Sequence, residues 1–166
     1  MKALFIGRFQ PFHKGHLLFL KSIYTQYDKI IIGIGSSQYS NSLDNPFSYD
    51  ERKMMIEKSL KEQGINNFSI VSIPDIHDPP NWVSHVLTIV KDFDVVLSNN
   101  LLTKNLFSEK GYLVKNTNLI KREIYSGKEI RKRIQLDKPW DELVPDVVNK
   151  IIKEINGASR IKNLSE

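Results

Sequence analysis

The sequence predicts an α/β protein in which one parallel sheet lies between two layers of helices. Short β-rich runs alternate along the chain with segments of helical periodicity. The β-rich runs are apolar nearly throughout, as in KIIIGIG at Lys29–Gly35, and lack the polar alternation of a half-exposed strand. The 166 residues are 40% hydrophobic, enough for one core, and contain no repeat or linker. Such strands belong to sheets that helices cover on both faces, so we expect a single domain with a three-layer α/β/α, doubly wound sheet.

Five short apolar runs predict the strands. The first lies directly at the N-terminus, and the last is the shortest. We place the strands at Ala3–Gly7, Lys29–Gly35, Phe68–Ile73, Asp94–Ser98 and Tyr112–Val114. In a sheet of this kind the crossovers are right-handed, and ligands bind at the carboxyl ends of the strands where the strand order reverses.

Helical patterns fill the intervals between the strands. Apolar side chains recur at helical spacing between Leu17 and Tyr27. A second helix begins at the capping box formed by Ser48 and Glu51 and ends before Gly64. Further helices are predicted from Asn81, as N-cap, to about Lys91, over Ser126–Ile134, and over Asp141–Ile155 after Pro139-Trp140. The chain from about residue 126 is therefore a C-terminal helical segment.

Composition narrows the classes of function. The absence of cysteine excludes disulfides, thiolate metal sites and a cysteine nucleophile, and it suits a reducing cytoplasm. The N-terminal apolar run is too short for a secretion signal, and no run reaches the length of a membrane span. We therefore expect a cytoplasmic protein without a membrane partner. Lys and Arg exceed Asp and Glu by 24 to 19, a balance compatible with nucleic acid and equally with phosphorylated small molecules.

The decapeptide GRFQPFHKGH, residues 7–16, follows the first predicted strand and has the composition of a phosphate site. Gly7 lets the backbone turn sharply and approach a ligand. His13 and His16 fall at the first turn of the next helix, where free N–H groups and the helix dipole attract anions. Arg8 either joins this site or is a solvated loop arginine. The segment is neither a P-loop nor a GxGxxG dinucleotide motif, because both spacings are absent.

A metal at His13 and His16 is disfavoured, since no cysteine, HExxH motif or nearby carboxylate completes a ligand set. A second possibility is that the two histidines are surface residues without a role. Arg52, in the second helix, is expected to pair locally and to belong to the fold.

Two motifs in this order resemble the HxGH nucleotidyltransferase superfamily, which joins a nucleotide to a phosphate and releases pyrophosphate. The first is GRFQPFHKGH, and the second is YSGKEIR at Tyr125–Arg131, of the form [ST]-x-x-x-[IV]-R. With GSSQ at Gly35–Gln38, NPFSYDER at Asn45–Arg52, Trp82-Val83 and EINGASRIKNL at Glu154–Leu164, the chain is similar to the archaeal-type nicotinamide mononucleotide (NMN) adenylyltransferases. The resemblance covers residues 3 to about 164 and implies a Rossmann-like, HIGH-type nucleotidyltransferase fold.

The resemblance implies transfer of AMP from ATP to NMN, giving NAD and pyrophosphate, with Mg²⁺ bound through the phosphates rather than by protein side chains. His16, His13 and Arg131 are the implied catalytic residues. The implied ATP and phosphate site comprises Gly7, Arg8, Phe9, His13, His16, Ser126, Gly127 and Arg131. Some family members have a phosphate-contacting arginine where this chain has Asp44, and that contact is not carried over. The family also implies a homo-oligomer.

For the acceptor, the resemblance points to the turn-rich stretch PDIHDPPNW at Pro74–Trp82. Trp82 is the candidate for stacking on the cationic nicotinamide ring, or else a core aromatic. Asp75 and Asn81 are candidates for the carboxamide or ribose, and Asp75 is equally explained as a turn residue. His77 and His85 are read as structural.

Two other functions remain open. The nearest is a nucleotidyltransferase of the same superfamily that acts on phosphopantetheine, flavin mononucleotide or an alcohol phosphate, with the same phosphate machinery. A nonenzymatic RNA-binding module belongs to another class and needs basic and aromatic residues on an exposed sheet face. Because the predicted strands are apolar throughout, we expect no nucleic acid partner.

Overall fold

A computed structural model describes residues 1–119 and 121–164, and within them five strands form one parallel sheet in the order β3-β2-β1-β4-β5. The central strand β1 pairs with β2 from Lys2 to Gly7 and with β4 from Ala3 to Phe5. The strands are β1 Lys2–Gly7, β2 Lys29–Gly35, β3 Phe68–Ile73, β4 Val95–Leu97 and β5 Leu113–Lys115. All five lie within a residue or two of their predicted positions.

Helices cover both faces of the sheet, which confirms the predicted fold class. They are α1 Lys14–Ile23, α2 Tyr49–Glu62, α3 Pro79–Ile89, α4 Leu101–Glu109, α5 Gly127–Gln135, α6 Asp146–Glu154 and α7 Gly157–Leu164. The 14-residue α2 is the longest helix of the described chain, and none of the described helices has the length and apolarity to cross a membrane.

Successive side chains of β1 enter two separate cores. Ala3 and Phe5 pack on one face with side chains of α1, α2, α5, α6 and α7, while Leu4 packs on the other with α3 and α4. Because neighbouring residues of a strand point to opposite faces, a strand buried on both sides must be apolar at every position. The continuous apolar runs in the sequence follow from this requirement.

Two predicted helix starts were wrong, and proline explains both. The third helix begins at Pro79 after Asp78, so Asn81 lies inside its first turn and is not the N-cap. Proline is favoured at the first helical position because its missing N–H needs no partner there. The segment 141–155 is not one helix: a short 3₁₀ turn at Asp141–Leu143 is separated from α6, because Val144 is extended before Pro145.

Two helices, α4 and α7, were not predicted. In α4 only Phe107 is buried, while Leu101 and Leu102 are exposed, so the apolar residues do not form the stripe expected of a surface helix. α7 is separated from α6 by Asn156, whose φ of 54° ends the preceding helix.

The strand order places the predicted phosphate segment at the centre of the sheet. The chain passes from β1 outward to β2 and β3, and then returns to the other side of β1 with β4 and β5. The loop after β1 therefore emerges where the strand order reverses, between β2 on one side and β4 on the other. This is the place where open α/β sheets bind ligands.

Candidate active site

His13 and His16 cap the first turn of α1 by binding each other's backbone. The Nδ1 atom of His13 accepts the backbone N–H of His16 at 3.4 Å, and the Nδ1 atom of His16 accepts the backbone N–H of His13 at 3.2 Å. The two rings stack with centroids 3.6 Å apart. This is a capping box in which imidazoles replace the usual Ser or Thr and Glu or Gln.

The reciprocal cap determines the tautomer of both rings. Since each Nδ1 accepts a hydrogen bond, each neutral ring has its proton on Nε2. Burial lowers the pKa of His13 to about 3, and burial together with repulsion from His13 lowers the pKa of His16 well below its usual value. Both imidazoles are therefore neutral at pH 7, with an Nε2–H available to donate.

A cavity of about 250 Å³ opens beside the two histidines. It brings together the residues that the two sequence motifs contribute. Its lining is Arg8, Phe9, Gln10, Pro11, His13, His16, Ser126, Gly127, Lys128 and Arg131. Arginine, lysine and imidazole groups surround the space and no lining residue has a carboxylate, so the cavity is suited to an anion with several charged oxygens.

Arg131 reaches this cavity from the first turns of α5. Ser126 is the N-cap of that helix, and its Oγ accepts the backbone N–H of Glu129 at 3.1 Å. The guanidinium of Arg131 is buried and donates from Nη1 to the carbonyl of Gln10 at 2.7 Å. Gln10 is fixed in turn by two 2.9 Å hydrogen bonds between its side-chain amide and the backbone of Phe47. The two motifs are thus joined directly.

Two glycines of the motifs are required by close packing rather than by unusual dihedral angles. A Cβ on Gly15 would lie 2.9 Å from Cε1 of His13, and one on Gly127 would lie 2.8 Å from Nη1 of Arg131. Distances this short force one of the atoms to move. The glycine between the two histidines therefore leaves room for the stacked pair.

The roles predicted for Gly7 and Phe9 need revision. Gly7 does not line the cavity; a Cβ there would lie 3.0 Å from Cζ of Phe9, so the glycine accommodates that ring. Phe9 has a φ of 55°, and its side chain is buried with Phe5 and His16 in the core. Because the ring is committed to the core, only the backbone of Phe9 is available to a phosphate.

A second cavity, of about 230 Å³, lies after β3. It is lined by Asp75, Ile76, His77, Asp78, Pro79, Trp82, Leu102, Thr103 and Leu106. Trp82 packs edge-on against Phe107, with centroids 5.6 Å apart, and also borders the cavity. The Asp75 carboxylate accepts a hydrogen bond from Oγ of Ser36 at 2.7 Å. The two readings of Trp82 are therefore compatible, since the ring contacts both the core and the cavity.

Asn81 is not among the residues that line this second cavity. Its side-chain amide donates to Oδ2 of Asp78 at 2.7 Å, inside the first turn of α3. The geometry gives no support to the predicted contact between Asn81 and the acceptor, because the early start of α3 turns this residue away. Asp78 and His77, which border the cavity, are better placed.

Sequence reasoning missed two residues of the first cavity. Lys128 lines it beside Arg131, and the side chain of Gln10 aligns the Gln10 carbonyl that Arg131 binds. Lys128 lies two residues after Ser126, and its position at a predicted helix start was the available signal. Arg52, which was expected to pair locally, binds backbone carbonyls, including those of the distant Arg8 and Gly35.

Comparisons with known proteins agree with the motifs. Residues 4–133 match the family model described as cytidylyltransferase-like. A nicotinamide-nucleotide adenylyltransferase of Methanococcus aeolicus is 51% identical over 165 residues, covering 99% of this chain and 95% of the relative. One of Picrophilus torridus is 46% identical over 166 residues, covering 100% of this chain and 98% of the relative.

A solved structure shares the fold. The bifunctional NMN adenylyltransferase/ADP-ribose pyrophosphatase of Francisella tularensis, described as complexed with AMP and a manganese ion, superposes with a TM-score of 0.79. The match covers 98% of this chain at 24% identity, and this chain spans 52% of that one. The family model, the relatives that match over nearly their full length, and the site with its two histidines and the arginine of α5 agree with one another. This chain therefore belongs to the cytidylyltransferase-like family and, within it, to the nicotinamide-nucleotide adenylyltransferases.

Proposed function

We propose that this protein transfers the AMP group of ATP to the phosphate of NMN, forming NAD and releasing pyrophosphate. The convergence of His13, His16 and Arg131 on one cavity supports this proposal most directly. The second cavity, with Trp82 and Asp75, supplies a separate place for the acceptor.

The reaction needs positioning more than it needs a base. An NMN phosphate oxygen attacks the α-phosphorus of ATP, a new P–O bond forms, and the bond to the β-phosphate breaks. The pyrophosphate leaves with the electron pair of that bond. A phosphate monoester has a second pKa of roughly 6, so at pH 7 the nucleophile is mostly a dianion already. No side chain has to remove a proton from it.

The first cavity provides donors for the charge that develops during transfer. His16 and His13 each offer an Nε2–H from a ring that its own backbone contact holds in place. Donors that are oriented before the reaction stabilise a transition state without reorganisation. Because both rings are neutral, they bind phosphate oxygens without the cost of a buried imidazolium.

The cationic side chains of the cavity are assigned to the leaving group. Arg131, whose orientation Gln10 holds, binds the β- and γ-phosphates, and Arg8 lies at the exposed edge of the same cavity. Lys128 supplies a further cation, which offsets the absence of an arginine at the position of Asp44. Burial, followed by repulsion from Arg8, lowers the pKa of Arg131, and the Asp44 carboxylate partly opposes this lowering.

Trp82 and Asp75 are assigned to NMN. The indole would stack on the cationic nicotinamide ring, a contact worth about 1 kcal/mol. The Asp75 carboxylate, already oriented by Ser36, would accept hydrogen bonds from the ribose or carboxamide.

A divalent metal enters with the nucleotide in this proposal. No group of three or more His, Cys, Asp or Glu residues that could hold a metal occurs in residues 1–119 and 121–164, and the first cavity has no carboxylate. These residues do not fit a resident ion, but they leave the phosphate oxygens and water to hold Mg²⁺, the coordination that this ion favours.

The experiment is a direct assay of NAD from ATP, Mg²⁺ and NMN, coupled to alcohol dehydrogenase. His16→Ala removes the proposed donor and should lower the rate about 100- to 1000-fold. His85→Gln, on α3 outside both cavities, is the matched control and should keep the parental rate.

Absence of NAD would refute the proposal. Release of pyrophosphate with phosphopantetheine, flavin mononucleotide or an alcohol phosphate instead would assign the protein to another acceptor. If pyrophosphate is released with none of these acceptors, the first cavity is a binding site without chemistry.

We further propose, from the family resemblance and the cysteine-free composition, that the protein acts in the cytoplasm as a homo-oligomer with no nucleic acid partner.

A further inference from the structure

One buried arginine links the loops that form both cavities. Arg52, on α2, is 0% exposed. Within the described residues, its guanidinium donates to five backbone carbonyls and to no side chain. The five acceptors are the carbonyls of Ser48, Arg8, Gly35, Ser36 and Tyr39, at 2.9 to 3.4 Å.

Arg52 forms no ion pair in the described part of the chain. The carboxylate of the neighbouring Glu51 is bound instead by Arg160, from α7, through two contacts of 2.6 and 2.9 Å. Burial, followed by repulsion from Arg8, lowers the pKa of Arg52 to about 10, against a smaller raising effect of the Glu51 carboxylate, so Arg52 is still a cation at neutral pH. A buried cation that forms no ion pair is costly to fold, and helix stability alone does not require one here.

Four of the five carbonyls bound by Arg52 lie at the carboxyl ends of the adjacent strands β1 and β2, and the fifth, of Ser48, is at the N-cap of α2 itself. Two residues at these points have left-handed backbone conformations: Phe9 with a φ of 55° and Ser36 with a φ of 47°. Arg52 binds the carbonyl of Arg8, just before Phe9, and the carbonyl of Ser36 itself. Side chains other than glycine adopt this region only when their surroundings hold them there. Arg52 binds both loops at these points.

The second of these loops reaches the acceptor cavity. Ser36 donates to the carboxylate of Asp75, and the hydroxyl of Tyr39 lies 2.5 Å from Nε2 of His77. Both Asp75 and His77 line that cavity. Arg52 is therefore one hydrogen bond from the loop of Arg8 and two from the residues that border the acceptor site.

We propose that Arg52 is a positioning residue that sets the placement of the phosphate loop relative to the acceptor cavity. Its planar fork binds carbonyls of both loops at once. This inference rests on the proposed function, since positioning two substrates has a kinetic meaning only if both bind.

The shape of the guanidinium is essential to this role. An arginine presents five N–H donors from three nitrogens in a rigid plane, whereas a lysine has three donors on one flexible nitrogen. Arg52→Lys therefore keeps the charge and loses the simultaneous contacts with both loops. Arg52→Gln removes the charge and retains a short amide donor.

The matched control is Arg160→Lys. Arg160 is another arginine that joins a loop carbonyl, of Pro46, to α2, but it is only partly buried, has an acidic partner and lines neither of the two substrate cavities. All three arginine variants, Arg52→Lys, Arg52→Gln and Arg160→Lys, should melt at lower temperature than the parent. Only the Arg52 variants should lose kcat/KM when the assay is run well below their melting temperatures.

The expected loss for Arg52→Lys reaches about 100-fold in kcat/KM for NMN, because misplacement of a substrate by ~1 Å costs that much. A folded Arg52→Lys enzyme with parental kcat/KM, or an equal loss in Arg160→Lys, would overturn the proposal. Failure of both Arg52 variants to fold would assign this residue to stability alone and would overturn it as well.

Calorimetry separates this proposal from the proposed function. ATP and adenosine share a base and ribose, but only ATP contacts the phosphate loop. Arg52→Lys should weaken the binding of ATP more than the binding of adenosine, whereas a merely structural loss weakens both equally. If the parent makes no NAD, the proposed function fails, and the ratio of the two affinities still tests the positioning of the loop.

Discussion

His13 and His16 show how a single turn of helix can prepare two neutral donors. In an ordinary capping box the side chains serve only to satisfy backbone N–H groups. Here the same contacts use Nδ1 of each ring and leave both Nε2–H groups outside the cap, on two residues that line a cavity. The spacing of three residues between the histidines is the spacing that this reciprocal cap requires.

The neutral state of these histidines should make folding depend on pH. The folded pKa of His13 is about 3, below the unfolded value of 6.5. Below pH 6.5 the unfolded chain therefore binds a proton that the folded chain does not, and stability falls as the pH decreases toward 3. Each histidine should contribute about 1.4 kcal/mol per pH unit once the pH is well below 6.5.

Urea unfolding at pH 7, 6 and 5 measures this dependence. His13→Asn keeps a residue that is favoured at the N-cap but removes the titrating group, so its stability should fall less steeply than that of the parent. Equal slopes in parent and variant would mean that His13 is charged in the folded protein.

Trp82 should affect the affinity for one substrate only. Its ring borders the acceptor cavity and is absent from the phosphate cavity. Trp82→Ala should raise the KM for NMN about fivefold, the equivalent of a contact of about 1 kcal/mol, and leave the KM for ATP unchanged. Trp82→Phe keeps an aromatic face and should lie between the two. A parallel rise in both KM values would instead indicate a general disturbance of α3.

At the scale of the element, α1 and α5 present their functional side chains from their first turns. Each begins at an N-cap whose side chain binds the backbone three residues on. Each first turn also contains a glycine against which a site side chain packs closely, His13 against Gly15 and Arg131 against Gly127. The residues at the start of each helix therefore both cap the helix and shape the site.

Gly15→Ala tests this arrangement in α1. Alanine is favoured over glycine in a helix by ~1 kcal/mol, so the helix alone would gain stability. The added Cβ, however, would lie 2.9 Å from Cε1 of His13 and 3.0 Å from Cβ of Tyr125. We expect a large loss of NAD formation and a lower melting temperature. Lys14→Ala, in the same turn, is the control and should preserve both; higher stability with full activity in Gly15→Ala would refute the steric argument.

At the scale of the whole molecule, the two cores share one sheet. The side chains of residues 3 to 6 of β1 alternate between the two cores, so loss of either helical layer would expose one apolar face of the central strand. We propose on this basis that the chain folds as a single domain.

The two tryptophans of the chain provide the test. Trp82 packs against the core of α3 and α4, and Trp140 packs against the core on the opposite face. The variants Trp82→Phe and Trp140→Phe each retain one reporter. Their fluorescence transitions in urea, each compared with circular dichroism of the same variant, should coincide within that variant. A reporter that changes at a different urea concentration from the circular dichroism would indicate that its layer unfolds independently.

Local patterns in the sequence were sufficient for much of this protein. The apolar runs predicted all five strands, most clearly the central strands β1, β2 and β4, whose burial on both faces favours apolar residues at successive positions. The capping box of Ser48 and Glu51 predicted the start of α2, because both of its hydrogen bonds lie within one turn. The two motifs identified the family and the residues that meet at the phosphate cavity.

Tertiary structure decided what depends on contacts between distant segments. Such contacts determine the strand order and the packing of Phe9 on Gly7. The start of α3 at Pro79 determines that Asn81 binds Asp78 and does not line the acceptor cavity. The carbonyls around Arg52 come from three separate segments, and backbone acceptors leave no trace in the identity of a residue. Patterns of side chains can therefore be predicted from the sequence alone. The arrangement of backbone carbonyls around a buried charge cannot, because it forms only when the chain folds.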